Sequence, residues 1–214
     1  MAYAVCAKFR SFLRRPRISA LPLLGQGAKS SLVAKALTLG SDEIHLAIER
    51  LAAAIALRHP APADLILLGI ANGGIELVRR LARRLGVTHV GTVDISFHRD
   101  DIGRNPIPKE FAPTVIPRDV HGATVILVDD VLFSGRTVKA ALNELFDHGR
   151  PAKVELAVLV DRGCRMLPVA ADYTGLRLDA GKNEKVVVHL DPARTAKDSI
   201  TVTARPPATT TSRP

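Results

Sequence analysis

The chain has 214 residues, enough for one domain with extensions or at most two small ones. Hydrophobic residues make up 47% of it, yet no apolar run reaches the ~20 residues of a bilayer-spanning helix, and two cysteines, Cys6 and Cys164, are too few for a disulfide scaffold or a metal site of their own. The net charge of +9 is uneven: residues 1–35 carry seven Lys/Arg and no acid, residues 192–214 carry four Lys/Arg against one Asp, and the remaining body is left at −1, which weakens any argument for nucleic-acid binding from charge alone.

Residues 1–30 are basic, contain serine and lack acids, a composition shared by transit peptides and by poorly ordered extensions. We expect an extension here. The folded body is expected over 31–191. Ser41 is suited to cap a helix on which Ile44, Ile48, Leu51 and Ile55 recur at helical spacing. The run DLILLGI (64–70) has the continuous apolarity of a central parallel strand buried on both faces. Ala71-Asn72-Gly73-Gly74 reads as a loop, and 75–86 as an amphipathic helix ending at Gly86. Its Arg79, Arg80, Arg83 and Arg84 offer a basic face, equally readable as a solvated or assembly surface.

GTVDISFHRDD (91–101) alternates like a strand. Residues 102–122 hold four prolines and read as a long loop or ragged hairpin, a length that in a compact domain usually serves function. TVILVDD (124–130) is a second buried strand, 135–149 a helix, 153–163 a third strand and EKVVVHL (184–190) a fourth. Strands alternating with helices predict an α/β domain with a mainly parallel sheet. Residues 192–214 are rich in Pro and Thr, lack periodicity and are expected to be a disordered tail.

The stretch VILVDDVLFSGRTV (125–138) carries the chemistry. Four apolar residues lead into the adjacent acids Asp129 and Asp130. These fall where open α/β sheets bind ligands, beyond the carboxyl ends of strands. Ser134, Gly135, Arg136 and Thr137 then turn into a helix, offering backbone N–H groups, hydroxyls and a helix N-terminus to a phosphate. Carboxylates repel phosphate but accept hydrogen bonds from vicinal hydroxyls. A ribose 5-phosphate satisfies both halves. The stretch is neither a Walker A loop nor a Rossmann glycine motif. A metal site or a helix N-terminal acid pair remains open at this point.

The same stretch resembles the phosphoribosyl pyrophosphate (PRPP) motif of type I phosphoribosyltransferases. SFHRDD, VDDVLFSGRTVKAALNELFDHGRPAKVELAVLVDRG, LPVAADYTG and NEKVVVHL are further similar to the PyrR family, bacterial pyrimidine operon attenuation regulators that are also uracil phosphoribosyltransferases. The resemblance covers residues 30 to 191. It implies the type I phosphoribosyltransferase fold, with a flexible hairpin lid over the proline-rich segment and a small hood. It implies conversion of uracil and PRPP to UMP and pyrophosphate with Mg²⁺ held mainly by PRPP, and UMP-sensing regulation through the leader mRNA of the pyrimidine operon. Asp129 and Asp130 would take the ribose diol, and Ser134, Gly135, Arg136 and Thr137 the 5-phosphate. Ala71, Asn72, Gly73 and Gly74 would form the pyrophosphate loop, where relatives resemble Thr-Arg-Gly and this chain has Asn-Gly-Gly. Arg99 is then the expected cation. Val160, Asp161 and Arg162 would line the base-binding hood. A cytoplasmic homodimer or higher oligomer, with no membrane association, is the implied setting. A regulator with little or no catalysis, and a transferase for another base, are the alternatives.

Overall fold

Apolar continuity selects the centre of the molecule. A computed structural model describes residues 37–96, 113–181 and 183–204. In it, β2 (Leu65–Ile70) is buried at every position, and β4 (Thr124–Leu132) is buried from Val125 to Asp129. With β3 (Val90–Val93), β5 (Lys153–Asp161) and β6 (Tyr173–Arg177) they form a five-stranded parallel sheet in the order β3-β2-β4-β5-β6. Such strands need cover on both faces. Helices α1 (Ser41–Arg58) and α2 (Gly74–Leu85) cover one face, burying Ile44, Ile48, Leu51, Ile55, Leu77 and Leu81 against Leu67, Ile126 and Ala157. Helix α3 (Arg136–Asp147) covers the other, burying Val138, Ala141 and Leu145 against Leu68, Leu127 and Val158.

The chain leaves β2 for β3 on one side and returns to β4 on the other. The crevice beyond the carboxyl ends of β2 and β4 is therefore the topological switch point of the sheet, where ligands bind in open α/β folds.

A second, antiparallel sheet joins β1 (Leu37–Leu39), β8 (Ser199–Ala204) and β7 (Glu184–His189) in the order β1-β8-β7. Its Val186 and Ile200 close the α1/α2 side of the core. Several sequence expectations change here. Gly40, not Ser41, is the N-cap of α1, and the Glu43 carboxylate accepts its amide at 3.1 Å. EKVVVHL belongs to this smaller sheet, while Tyr173–Arg177 supplies the outer strand of the large one. The expected disordered tail is corrected as well: residues 192–204 are ordered by pairing of β8 with strands on both sides. The ordered body therefore continues to Ala204. Of the proline-rich segment, residues 113–122 are described, and Val115 bridges antiparallel to Thr92. The rest of the expected lid, and residues 1–30, lie outside the described residues.

The anchor of the second sheet is a buried ion pair. Arg80 is 2% exposed and donates to both carboxylate oxygens of Asp198, which is 3% exposed, as well as to Glu76 Oε1 at 2.8 Å and the Asp191 carbonyl at 2.7 Å. His45 of α1 reaches the same Asp198 at 3.2 Å. The pair ties α1, α2 and the turn before β8 together, because a charge without its partner there would be left desolvated. Asp198→Asn is expected to cost on the order of 3 kcal/mol in chemical denaturation; a loss below ~0.5 kcal/mol would show that the pair does not hold the sheet.

Candidate active site

β2 ends at Ile70, whereas β4 continues: its last register pair with β2 is Val128–Gly69, and its pairing with β5 runs on to Leu132–Asp161. Asp129 and Asp130 sit at this step, inside β4, which runs on to Leu132, two residues past the strand end expected from the sequence. Successive strand residues face opposite sides. Val125 and Leu127 join the α3 cluster and Ile126 and Val128 the α1/α2 cluster, so alternation sends Asp129 toward the α3 side and Asp130 toward α2. The two carboxyl groups nonetheless remain close enough to interact. The alternation breaks after the pair, where Val131 packs with the α1/α2 cluster and Leu132 with the α3 cluster.

Asp129 is 5% exposed. Its Oδ1 accepts the Asp130 amide at 3.0 Å. Burial, reinforced by the neighbouring Asp130 charge, pushes its carboxyl well above the usual carboxylate range. Burial also raises Asp130. Desolvation disfavours the ionised form unless opposite charge or donors compensate it.

The loop of Ala71, Asn72 and Gly73 folds over the step, with a cis peptide bond between Ala71 and Asn72. The Ala71 amide is held by the Val93 carbonyl at 3.0 Å. Gly74, read from sequence as loop, is the first residue of α2. Contact with β4 explains both glycines. A Cβ on Gly73 would collide with the Asp130 carboxyl group, and one on Gly74 with the Val128 carbonyl oxygen. The missing side chains let the start of α2, with its outward backbone amides, press against the acid pair.

On the other flank, Ser134 and Gly135 form the turn into α3, and Arg136 and Thr137 are its first residues. Gly135 has φ +90°, a left-handed conformation, and its Cβ position lies 3.2 Å from Leu167 Cβ. The Ser134 hydroxyl accepts the Arg136 amide at 3.3 Å, and the Gly135 carbonyl accepts the Lys139 amide at 3.0 Å. Orphan amides of a helix N-terminus thus border the acids on both sides.

The expected hood residues are less uniform. Val160 is fully buried in the α1/α2 cluster, so its side chain does not line an open pocket. Asp161 ends β5, and its Oδ1 accepts the Gly163 amide at 2.9 Å and Arg165 at 2.5 Å. Arg162 is 5% exposed, donates to the Gly181 carbonyl at 3.0 Å and stacks 3.9 Å from the Phe133 ring centroid. Arg99 lies outside the described residues, as do Asp100 and Asp101. The four-arginine face is corrected: Arg80 is buried in the ion pair above and Arg84 holds Glu49 at 2.6 Å, leaving Arg79 and Arg83 with side chains 62% and 71% exposed. The sequence reading did not single out Phe133 or Arg165. Their signal is positional, an aromatic beside the turn and an arginine four residues beyond the strand-end acid.

The phosphoribosyl transferase domain family matches residues 40–193. Bifunctional protein PyrR of Roseiflexus sp. (strain RS-1) is 45% identical over 158 residues, covering 71% of this chain and 86% of that protein. Bifunctional protein PyrR of Streptomyces coelicolor is 45% identical over 176 residues, covering 79% and 90%. A crystal structure of hypoxanthine-guanine phosphoribosyltransferase from Bacillus anthracis matches with a TM-score of 0.54 at 20% identity, over 67% of this chain and 83% of that one. That likeness speaks to the fold, which is the type I phosphoribosyltransferase fold expected from the sequence. With a domain match across most of the body and 45% identity over most of both relatives, the chain belongs to the phosphoribosyl transferase domain family and, within it, to the PyrR family.

Proposed function

We propose that the protein joins uracil to the phosphoribosyl group of PRPP, giving UMP and pyrophosphate, and that UMP in the same site governs binding to the leader mRNA of pyrimidine genes. The observation that carries the first part is the buried acid pair of β4 at the switch point, bordered by the Gly73–Gly74 start of α2 and the Ser134–Thr137 start of α3.

In the reaction the bond from the ribose C1 to the pyrophosphate oxygen breaks, a bond from uracil N1 to C1 forms, and the N1 proton leaves. Positive charge develops at the sugar as the leaving group departs. No protein nucleophile is required, so catalysis rests on positioning and electrostatics. Asp129 and Asp130 accept hydrogen bonds from the ribose diol and set negative charge near the developing cation. The amides of Ser134 to Thr137 take the 5-phosphate, and Ala71 to Gly74 face the pyrophosphate. Arg99 is the assigned cation there. Asp161 and Arg162 border the base, with Val160 acting through its backbone. Bound Mg²⁺ supplies Lewis acidity at the pyrophosphate. An acid pair raised by burial fits a ligand that arrives with hydroxyl donors and a divalent cation.

The body we assign to this function is residues 31–204, with 1–30 as an extension. The RNA reading draws support from relatives named bifunctional, and Arg79 and Arg83 are the exposed cations that remain on α2. Exposed Leu46 and Leu57 on α1 suit an assembly of two or more copies. A cytoplasmic setting accords with the absence, among the described residues, of any helix long and apolar enough to cross a membrane.

Incubation with PRPP, Mg²⁺ and a panel of bases tests the main reading. Pyrophosphate should be released with uracil and far less with cytosine or hypoxanthine; folded protein inert toward uracil would reject it. For regulation, UMP should tighten binding of leader RNA, and Arg79→Gln with Arg83→Gln should weaken it by roughly tenfold. RNA affinity indifferent to UMP would remove the sensor role.

The acid pair yields a pH prediction. A carboxyl raised in the folded state favours the protonated form, so its contribution to stability is present at low pH. It is lost as pH climbs from the unfolded range near ~4 through the raised value. Asp129→Asn keeps an acceptor for the Asp130 amide and removes the charge. Ligand-free, the variant should be more stable than the parent by on the order of 1 kcal/mol at neutral pH, with the gap widening as pH rises above the unfolded carboxylate range near ~4. Its PRPP affinity should fall by about tenfold or more. Equal stability at every pH would show that Asp129 is not held raised.

A further inference from the structure

Arg165 makes a set of contacts that the proposed chemistry does not use. It lies in the segment after β5 and its side chain is 22% exposed. Nη1 donates to the carbonyls of Leu132, Phe133 and Gly163 at 3.0, 2.8 and 3.0 Å, Nε donates to the Val169 carbonyl at 3.2 Å, and Nη2 donates to Asp161 Oδ1 at 2.5 Å. Two of these carbonyls belong to the residues between the acid pair and Ser134. The next carbonyl, that of Ser134, accepts the amides of Met166 and Leu167, both at 3.0 Å. The 161–169 segment therefore grips three consecutive carbonyls of the turn.

A trans peptide unit is a rigid plane with its C=O and the following N–H on opposite edges. Fixing the Leu132, Phe133 and Ser134 carbonyls from one side thus fixes the amides of Phe133, Ser134 and Gly135, and turns them away from the gripping segment. Those amides open the phosphate-facing turn. A planar guanidinium suits this task, because its donors lie in a fixed fork that an ammonium cannot reproduce. Asp161 balances its charge.

We propose that Arg165 is a positioning residue for 5-phosphate recognition: it aims the backbone amides of the Ser134–Gly135 turn and links that turn to the end of β5. The inference rests on the nucleotide reading above. Its carbonyl contacts act on the turn and its contact with Asp161 acts on the base side, so the phosphate effect is read as a ratio of two affinities and not as a single loss.

The test compares UMP with uridine, which lacks the phosphate, by titration calorimetry on the full chain and on Arg165→Met and Arg165→Lys. The ratio of the two affinities isolates the phosphate from general loss of stability. In the parent, UMP should bind much more tightly than uridine. In Arg165→Met that preference should shrink on the order of tenfold, beyond any loss of uridine affinity that release of Asp161 causes; Arg165→Lys should lie between, about threefold below the parent. A preference unchanged in folded variants overturns the positioning role. If Arg165→Met does not fold, Arg165→Lys decides alone by the same ratio. A parent that binds UMP no better than uridine overturns the nucleotide reading itself, an outcome distinct from an intact preference that the variants retain.

Discussion

Burying a carboxyl group in the middle of a parallel strand is the constraint around which this fold is arranged. Asp129 sits among the apolar residues of β4 and, among the described residues, receives a hydrogen bond from the amide of its own neighbour. A group so placed costs free energy unless something neutralises or solvates it. The surroundings keep the position open to such a partner. Pairing with β2 stops one register step earlier, two glycines let the start of α2 approach the acids closely, and the turn into α3 follows the end of the strand. Each feature alone is ordinary loop structure. Together they bring two acids and the starts of two helices to one switch point, the arrangement on which the proposed site rests.

The rest of the chain holds that arrangement in place. The approach of α2 to β4 is set by the contact of Gly74 with the Val128 carbonyl. The position of α2 is set from behind by Arg80, whose ion pair with Asp198 anchors it to the second sheet. A residue far along the sequence is thereby connected to the start of α2, where the proposed pyrophosphate loop begins. The second sheet is small and half exposed, and its attachment through a buried pair makes it part of the scaffold of the site.

How much of this was legible beforehand depends on how local each signal is. β2, β4 and β5 announced themselves through uninterrupted apolar runs, α2 and α3 through periodicity and flanking glycines, and the acid pair with its Ser-Gly-Arg-Thr turn through spacing. β6 escaped because Tyr-Thr-Gly-Leu-Arg is short and buries just Tyr173 and Gly175. β8 escaped because Ser-Ile-Thr-Val-Thr-Ala lies in a Thr-rich context, and its order comes from neighbours more than a hundred residues away at β1 and nearby at β7. Arg80 shows the same limit inside a helix. It looked like one of four solvated arginines, since no helical pattern reveals that Asp198 will fold back over it. Arg165 was invisible for a related reason: its five acceptors are mostly backbone carbonyls, which leave no mark in a sequence. Gly73, which stands where relatives resemble Arg, follows a cis peptide bond in a loop that lies against Asp130.

The two buried acids of the large sheet show why position matters more than residue type. Glu155 near the amino end of β5 is 2% exposed. It is met by Arg58, His59, Lys153 and the Tyr173 hydroxyl, which overcome its burial and hold it down at about 2. Asp129 near the carboxyl end of β4 is comparably buried, yet burial and a like charge push it up. The first acid is saturated by its own protein and has nothing left to offer a ligand. The second has one backbone amide donor, and the ligand we propose would add hydroxyl donors to it. Both ends of the sheet could have been satisfied with the side chains available to an arginine-rich chain. That the saturated acid lies at the end away from the switch point, and the acid raised by burial at the switch point itself, supports our proposal that Asp129 serves binding rather than folding.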